Sequence, residues 1–507
     1  MTPARILARL VLALGLLLAF AGARAALPEP LLLRLASGDN DEKVAALGEI
    51  AVSGDPVALH VLPSGEMLAE QPEDAEDVRV NNRVRNAISA AIAAIQLDAA
   101  DPAVRLEAAR RIRSDATPEL LPLIDRALAR EQPASIESLL ASARARVLVE
   151  SEDASVRLAA VRTLGESDEA ELKQLLLPLL EEGNEPEAAV RAEAKAAIGA
   201  INARLQRDEY AGLAFTGLSL GSILLLAALG LAITYGLMGV INMAHGELIM
   251  IGAYATYVTQ NLVRAWAPGM FEFYPLLAIP VAFTVAALVG VLMERLVIRH
   301  LYGRPLETLL ATWGISLVLI QSVRSLFGAQ NVPIENPQWL SGGVQLMSNL
   351  ILPWNRIAII VFAALVVIGM TLILTRTRLG LFVRAVTQNR QMAGCVGVAT
   401  PRVDTVAFGL GSGIAGLAGC ALSQVGNVGP GLGQGYIIDS FMVVVLGGVG
   451  QLIGTVYAAL GLGVVNKLIE AQAGAVLAKI AVLVIIIVFI QKRPQGLFAV
   501  KGRFVEQ

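Results

Sequence analysis

From Glu209 to Gln507 the chain carries only 10 acidic and 17 basic residues, set between long apolar runs. The runs are Gly212 to Met238, Val240 to Gln260, Pro275 to Val297, Leu306 to Phe327, Leu352 to Leu374, Val403 to Val425, Tyr436 to Leu468 and Ala475 to Ile490. About 20 apolar residues in a helix cross a hydrocarbon core of about 30 Å, and only helices and closed barrels satisfy every backbone polar group there. Runs of this length predict an all-α, polytopic membrane bundle over residues 209–507. Basic loops stay on the cytoplasmic side. Three basic groups therefore orient the spans: Arg295, Arg299 and Arg304; Arg376, Arg378, Arg384, Arg390 and Arg402; and Lys492, Arg493, Lys501 and Arg503. Counting from an outer start agrees through the fifth run, then leaves the last basic group outside. The 33-residue run Tyr436 to Leu468 must hide a further crossing, and Gly447-Gly448-Val449-Gly450 is its natural break. Eight to ten spans or half-spans are expected.

The stretch before this has the composition of a water-soluble domain. Ala26 to Asp208 holds 33 acidic and 20 basic residues, a net charge of −13 against +7 for the remainder. At the N-terminus Arg5 and Arg9 precede the apolar run Leu10 to Phe20, and Ala23-Arg24-Ala25 follows. A charged start, a short apolar core and an A-x-A ending predict a secretory signal over 1–25. Eleven apolar residues reach only about 16 Å as helix. An uncleaved anchor is the alternative, and it leaves residues 26–208 on the same outer side.

Within 26–208, Asp101-Pro-Ala-Val-Arg-Leu-Glu-Ala-Ala-Arg110 and Asp153-Ala-Ser-Val-Arg-Leu-Ala-Ala-Val-Arg162 match closely, with weaker echoes at Val190-Arg191, Val78-Arg79 and Val44. Apolar residues recur at three- and four-residue steps, and an acidic residue precedes each close copy, as at a helix N-terminus. This predicts helical hairpins stacked as a short HEAT-like solenoid. Its surface is either a docking face for a solute-binding protein or a packed appendage whose Val-Arg pairs only join repeats. The acidic balance argues against nucleic acid. Both cysteines, Cys395 and Cys420, lie in the membrane half, and His60 is the only histidine of the first half, so no metal site is expected there. No G-x-x-x-x-G-K-[ST] loop and no nucleophile–base set occurs in the chain. No cofactor is expected, an enzyme is the least supported class, and any ATP hydrolysis belongs to another subunit.

Polar groups at membrane depth are costly and usually face a protein interior or a solute path. Asn242, His245 and Glu247 stand out in Asn242-Met-Ala-His-Gly-Glu-Leu-Ile-Met-Ile-Gly-Ala-Tyr254. Thr312, Ser316 and Gln321 on the fourth run, Gln424 on the sixth, and Asp439 and Ser440 on the seventh are further candidates for the path. A Glu247 carboxylate would accept N–H bonds and a neutral His245 would donate to a carbonyl. The competing reading makes Asn242 a helix cap, with His245 and Glu247 satisfying first-turn amides at the cytoplasmic edge, toward which the topology places this motif. The glycines Gly409, Gly411, Gly413, Gly416 and Gly419 read as close helix packing.

Six motifs in order resemble the permease family of branched-chain amino acid and urea ABC importers. They are Gly217-Leu-Ser-Leu-Gly-Ser222, the Asn242 to Tyr254 stretch, Leu310-Ala-Thr-Trp-Gly-Ile-Ser316, Thr377-Arg-Leu-Gly380 with Arg384-Ala385, Val444-Val-Leu-Gly-Gly-Val-Gly450 and Arg493-Pro-Gln-Gly-Leu-Phe498. The signal and large outer domain ahead of them resemble the B-type permease subunit of urea importers, so urea is the expected solute, with a branched-chain amino acid or short amide as the alternative. The resemblance implies a second homologous permease, two ATP-binding cassette subunits, a periplasmic solute-binding protein and an inner-membrane location. It also implies an ATPase-coupling loop at Leu381 to Pro401, including Arg384, Ala385, Asn389, Arg390, Ala393 and Gly397. Phe382, Val386 and Ala393, with Ala385 and Met392 beside them, are expected to dock, and Arg384 and Arg390 to pair with ATPase carboxylates. A solenoid-bearing membrane sensor or channel is the rival from another class.

Overall fold

The computed structural model describes residues 30–31, 34–35, 39–53, 82–114, 116–130, 133–167, 169–347 and 349–498. The expected signal at 1–25, His60, Val78-Arg79, Lys501 and Arg503 lie outside the described residues. Two compact units divide between Leu205 and Gln206.

The first unit contains α1 (Asn40–Ser53), α2 (Asn82–Gln96), α3 (Pro102–Ser114), α4 (Leu121–Leu128), α5 (Ala134–Leu148), α6 (Ala154–Gly165), α7 (Ala170–Leu176) and the first part of α8 (Ala188–Met238). The three- and four-residue steps bury one face of each repeat helix: Ala108, Ala109 and Ile112 in α3, and Ala160, Val161 and Leu164 in α6. Three Val-Arg pairs are anchored alike. Arg105 Nη1 donates to the carbonyls of Ala99 and Ala100, Arg157 Nη1 to Ser151 and Glu152, and Arg191 Nη1 to Glu185 and Pro186, all at 2.7–2.9 Å. Each guanidinium reaches back five and six residues and clamps the turn before its own helix. The weak copy at Val190-Arg191 thus has the same anchor as the two close ones. The acidic residues ahead of the close copies cap: Asp101 Oδ1 accepts from Ala103 N–H and Asp153 Oδ1 from Ser155 N–H. Arg157 also forks onto Glu185, Nε to Oε2 at 2.6 Å and Nη2 to Oε1 at 2.8 Å. That hydrogen-bonded pairing holds the Glu185 carboxyl below its ordinary range.

The second unit continues with α8, then α9 (His245–Trp266), α10 (Tyr274–Leu296), α11 (Pro305–Phe327), a hairpin of β1 (Gly343–Met347) and β2 (Leu350–Pro353), α12 (Trp354–Arg376), α13 (Arg378–Gln388), α14 (Arg390–Cys395), α15 (Thr400–Ser423), α16 (Gln434–Gly447), α17 (Leu452–Ala473) and α18 (Ala475–Lys492). Seven helices among the described residues are long and apolar enough to cross a membrane. They are α8, α10, α11, α12, α15, α17 and α18. The run Tyr436 to Leu468 breaks where the charge count required. α16 ends at Gly447 and α17 starts at Leu452, with Gly448 at φ 100° and Gly450 at φ 80° in the turn.

α15 is the most buried of the spans and α9 and α10 lie against it. Its glycines permit that closeness. A Cβ on Gly416 would sit 2.5 Å from the Ala282 carbonyl oxygen of α10, and one on Gly419 would sit 2.7 Å from Ala253 N of α9. α10 meets α15 with the small stripe Ala278, Ala282, Ala286 and Gly290, and turns Leu288, Leu292 and Leu296 outward as a lipid face requires.

Two helices begin inside the bundle. The ring of His245, first residue of α9, lies against Gly230 of α8, and so do Gly411 and Ala415 of α15. Gly411 is eleven residues into α15, about 16 Å along it at 1.5 Å per residue. The α9 start is therefore deep in the bundle. This corrects the expectation that the Asn242 motif lies at the cytoplasmic edge. The turn before it, at Val240, Asn242 and Ala244, is itself buried. α16 starts beside it, since a Cβ on Gly246 would sit 2.7 Å from the Gly433 carbonyl oxygen. Glycine at both positions lets the two backbones touch.

Candidate functional site

Five of the nine expected path residues come together at the α9 start. Asn242 Oδ1 accepts from Ala244 N–H at 3.0 Å, closing a turn just ahead of the helix. The expectation that Asn242 caps the helix is corrected: the cap is Ala244, with no side-chain bond to the first turn, and the Asn242 amide Nδ2 has no partner. Thr312 of α11 steadies the same turn from across the interface. Its hydroxyl accepts from Met243 N–H at 3.2 Å and donates back to Thr308 at 2.9 Å. Thr308, Thr312 and Ser316 recur at every fourth residue along the buried face of α11, and Ser316 faces the Glu247 carboxylate.

His245 is fully buried, with Nε2 2.9 Å from the Ala227 carbonyl oxygen. A carbonyl only accepts, so Nε2 carries the proton and a neutral ring leaves Nδ1 as a bare acceptor. Nδ1 has no partner. The expectation that His245 donates to a solute carbonyl is therefore corrected: its donor is already used, and what it offers is a lone pair. Glu247 is 2% exposed and its Oε2 is likewise unpartnered. Three side-chain atoms within six residues thus lack a partner, two acceptors and one donor. The blander reading holds in part: the Glu247 carboxyl accepts from its own first-turn N–H and from Ser316, while His245 spends its ring on the Ala227 carbonyl of α8 and on no first-turn amide.

Gln424 and Asp439 lie elsewhere. Gln424 ends α15 at the opposite end of the bundle. Its Oε1 accepts from Tyr274 O–H at 3.2 Å, and its backbone carbonyl accepts from Asn336 and Asn355. Asp439 of α16 faces Lys479 of α18 at 3.9 Å, Ser440 donates to the Tyr436 carbonyl, and Gln321 is exposed. None of these joins the Asn242 cluster.

The expected coupling loop folds as α13 and α14, and its inward and outward faces differ from expectation. Val386 and Ala393 are buried with Val383 and Val403 in a small core of their own, so they hold the loop to α15. Leu381, Phe382, Met392 and Val396 are exposed, as is Arg384. Asn389 caps α14 by accepting from Met392 N–H at 2.9 Å, and Gly397 turns the chain at φ 90°. Arg390 is not free for a partner's carboxylate. It forks onto Asp404, which is 1% exposed, and stacks over the Tyr302 ring at 4.9 Å.

That contact belongs to a second buried cluster that sequence reasoning missed. Thr405 O–H donates to Glu294 Oε2 at 2.6 Å, Arg299 lies 3.7 Å from the same oxygen, and Tyr302 O–H donates to Glu294 Oε1 at 3.3 Å. Burial first, then the Asp404 and Glu294 carboxylates, push the Tyr302 phenol above its ordinary range and keep it a donor. Two lone acids inside apolar runs, Glu294 and Asp404, were the available signal. No group of three or more potential metal ligands occurs among the described residues.

The family described as branched-chain amino acid transport system, permease component, matches residues 213–491. The high-affinity branched-chain amino acid transport system permease protein BraD of Pseudomonas aeruginosa is 30% identical over 285 residues, covering 55% of this chain and 93% of that protein. LivH of Escherichia coli K12, a permease protein of the same printed description, is 29% identical over 290 residues, 56% of this chain and 93% of its own. A probable branched-chain amino acid transport permease protein LivH of Methanocaldococcus jannaschii is 26% identical over 294 residues, 55% and 89% of the two chains.

Proposed function

This chain belongs to the family of branched-chain amino acid transport system permease components, and on that premise we propose that it is the membrane subunit of an ATP-driven importer whose solute is a branched-chain amino acid. The relatives' printed substrate supports this reading over urea. The observation that carries the transport reading within the fold is the unpartnered cluster at Asn242, His245 and Glu247, a polar locus deep in an apolar bundle. Groups left unsatisfied at such depth are expensive unless something visits them.

The basic end of the bundle, where α10 ends and α15 begins, faces the cytoplasm, which puts the first unit, a HEAT-like helical domain, outside. The exposed face of α13 and α14, with Leu381, Phe382, Arg384 and Met392, is offered to an ATP-binding cassette subunit. A second homologous permease, a second ATPase subunit and a periplasmic solute-binding protein complete the assembly.

Urea stands as the second reading because of one observation. The relatives align over most of their own length yet match little more than half of this chain, and the rest includes the helical unit before residue 206. Uptake of labelled leucine and labelled urea, measured in parallel in cells lacking the gene and with urease activity controlled, separates the two. Loss of leucine uptake, restored by the intact gene, is the expected result. Loss of urea uptake alone overturns the amino acid reading in favour of urea, and loss of neither means another solute.

A further inference from the structure

We propose that the starts of α9 and α16 frame a transit site for the two charged groups of a free α-amino acid, with Glu247 receiving the ammonium and Asn242 Nδ2 and the two helix N-termini receiving the carboxylate. The inference rests on the amino acid reading above.

Two helix starts meet here in backbone contact at Gly246 and Gly433. The helices are 22 and 14 residues long. A helix N-terminus carries partial positive charge and free N–H groups, and two that converge favour an anion between them. Interrupted membrane helices of this kind hold carboxylates in other transporters.

The second observation is independent of the helix ends. Asn242, His245 and Glu247 are 1%, 0% and 2% exposed, and each has one polar atom with no partner. The three atoms are sorted by sense. Asn242 Nδ2 donates, as a carboxylate requires, and Glu247 Oε2 accepts, as an ammonium requires, while His245 Nδ1 accepts on the side of the helix turned to α8. No cationic side chain lies within ion-pair distance of Glu247 among the described residues. A carboxylate held at this depth by Ser316 and its own N–H but with no cation beside it is costly, and a visiting ammonium would complete it. Neutral urea supplies the same hydrogen bonds but no charge. Thr312 positions the turn through Met243 N–H and is not itself a ligand.

All three atoms are sealed from solvent.

The test uses full-length Glu247→Gln and Asn242→Asp in cells lacking the gene, with the rest of the importer present and membrane abundance measured alongside uptake of labelled L-leucine. Each variant is expected to lower uptake per inserted molecule about tenfold or more, the scale of losing a hydrogen bond to a charged group. A purely structural role would lower abundance and uptake together, and that result overturns the proposal. So does uptake within about twofold of wild type in Glu247→Gln. Should that variant not reach the membrane, Asn242→Asp decides by the same thresholds. If the wild type carries no leucine, the amino acid reading falls and this inference with it. If it carries leucine and the variants do too, this inference alone falls.

Discussion

Two buried polar clusters in the second unit are finished to different degrees. At the basic end, Glu294, Arg299, Tyr302 and Thr405 close one another's hydrogen bonds, and Arg390 forks onto Asp404. Deeper in, Asn242, His245 and Glu247 each keep an atom unpaired. Both clusters place carboxylates where water is excluded, and their cost is met differently. The first meets it within the chain and fastens the α13–α14 segment to α10 and α15. The second leaves its cost open, which a fold built only for stability has no reason to do. Stability and transport should therefore separate between the two.

The largest effect is expected at the finished cluster. Arg390→Met strands a carboxylate that is 1% exposed and should cost about 3–5 kcal/mol, read as a fall in the thermal midpoint of the full-length protein in detergent. Asp404→Asn should cost roughly half as much, because the Arg390 side chain is 41% exposed and can turn to water. Equal costs would mean the pair is not buried as described.

Next in size is the packing that sets the deeper cluster in place. Gly416→Ala pushes a methyl group to 2.5 Å from the Ala282 carbonyl oxygen and should cost about 1–3 kcal/mol. No change in midpoint would mean that α10 and α15 are less tightly apposed.

A pH comparison tests the first unit against the second. The folded Glu185 carboxyl lies below its ordinary value because Arg157 bonds it. Its contribution is full above the unfolded value of about 4.3 and is lost as pH falls through the lowered folded value. Hydrogen exchange of α6 amides in the full-length protein should accelerate, after correction for intrinsic rates, as pH drops below about 4. Glu185→Gln should remove that acid dependence, and its persistence would place the cause elsewhere.

The smallest stability effect is expected at the unfinished cluster. Glu247→Gln should change the thermal midpoint by the equivalent of about 0.5 kcal/mol or less, because no ion pair is broken. A large loss there would make Glu247 structural and erase the contrast.

Much of the fold was legible in the sequence because lipid imposes a strict rule on length and polarity. The charge count found the break at Gly447–Gly450 without any structure. The repeat pattern marked three Val-Arg pairs that turn out to share one anchor. The site was legible in part. Asn242, His245, Glu247, Thr312 and Ser316 converge, but Gln424 and Asp439 do not, because hydropathy marks polar residues without saying which helices cross at them. The depth of the α9 start was hidden for a related reason. Basic loops report which end of a span faces inward, and they say nothing of a helix that begins partway across. The inward turn of Val386 and Ala393 was missed because α13 and α14 are amphipathic toward their own bundle, and periodicity alone does not name the surface a stripe packs against.

The most direct test sets Glu247→Gln beside Arg390→Met and measures, for each full-length protein, the thermal midpoint and labelled leucine uptake per inserted molecule. The account predicts that Glu247→Gln keeps its midpoint and loses transport, while Arg390→Met loses midpoint. A Glu247→Gln protein that melts early and transports normally per molecule would contradict it.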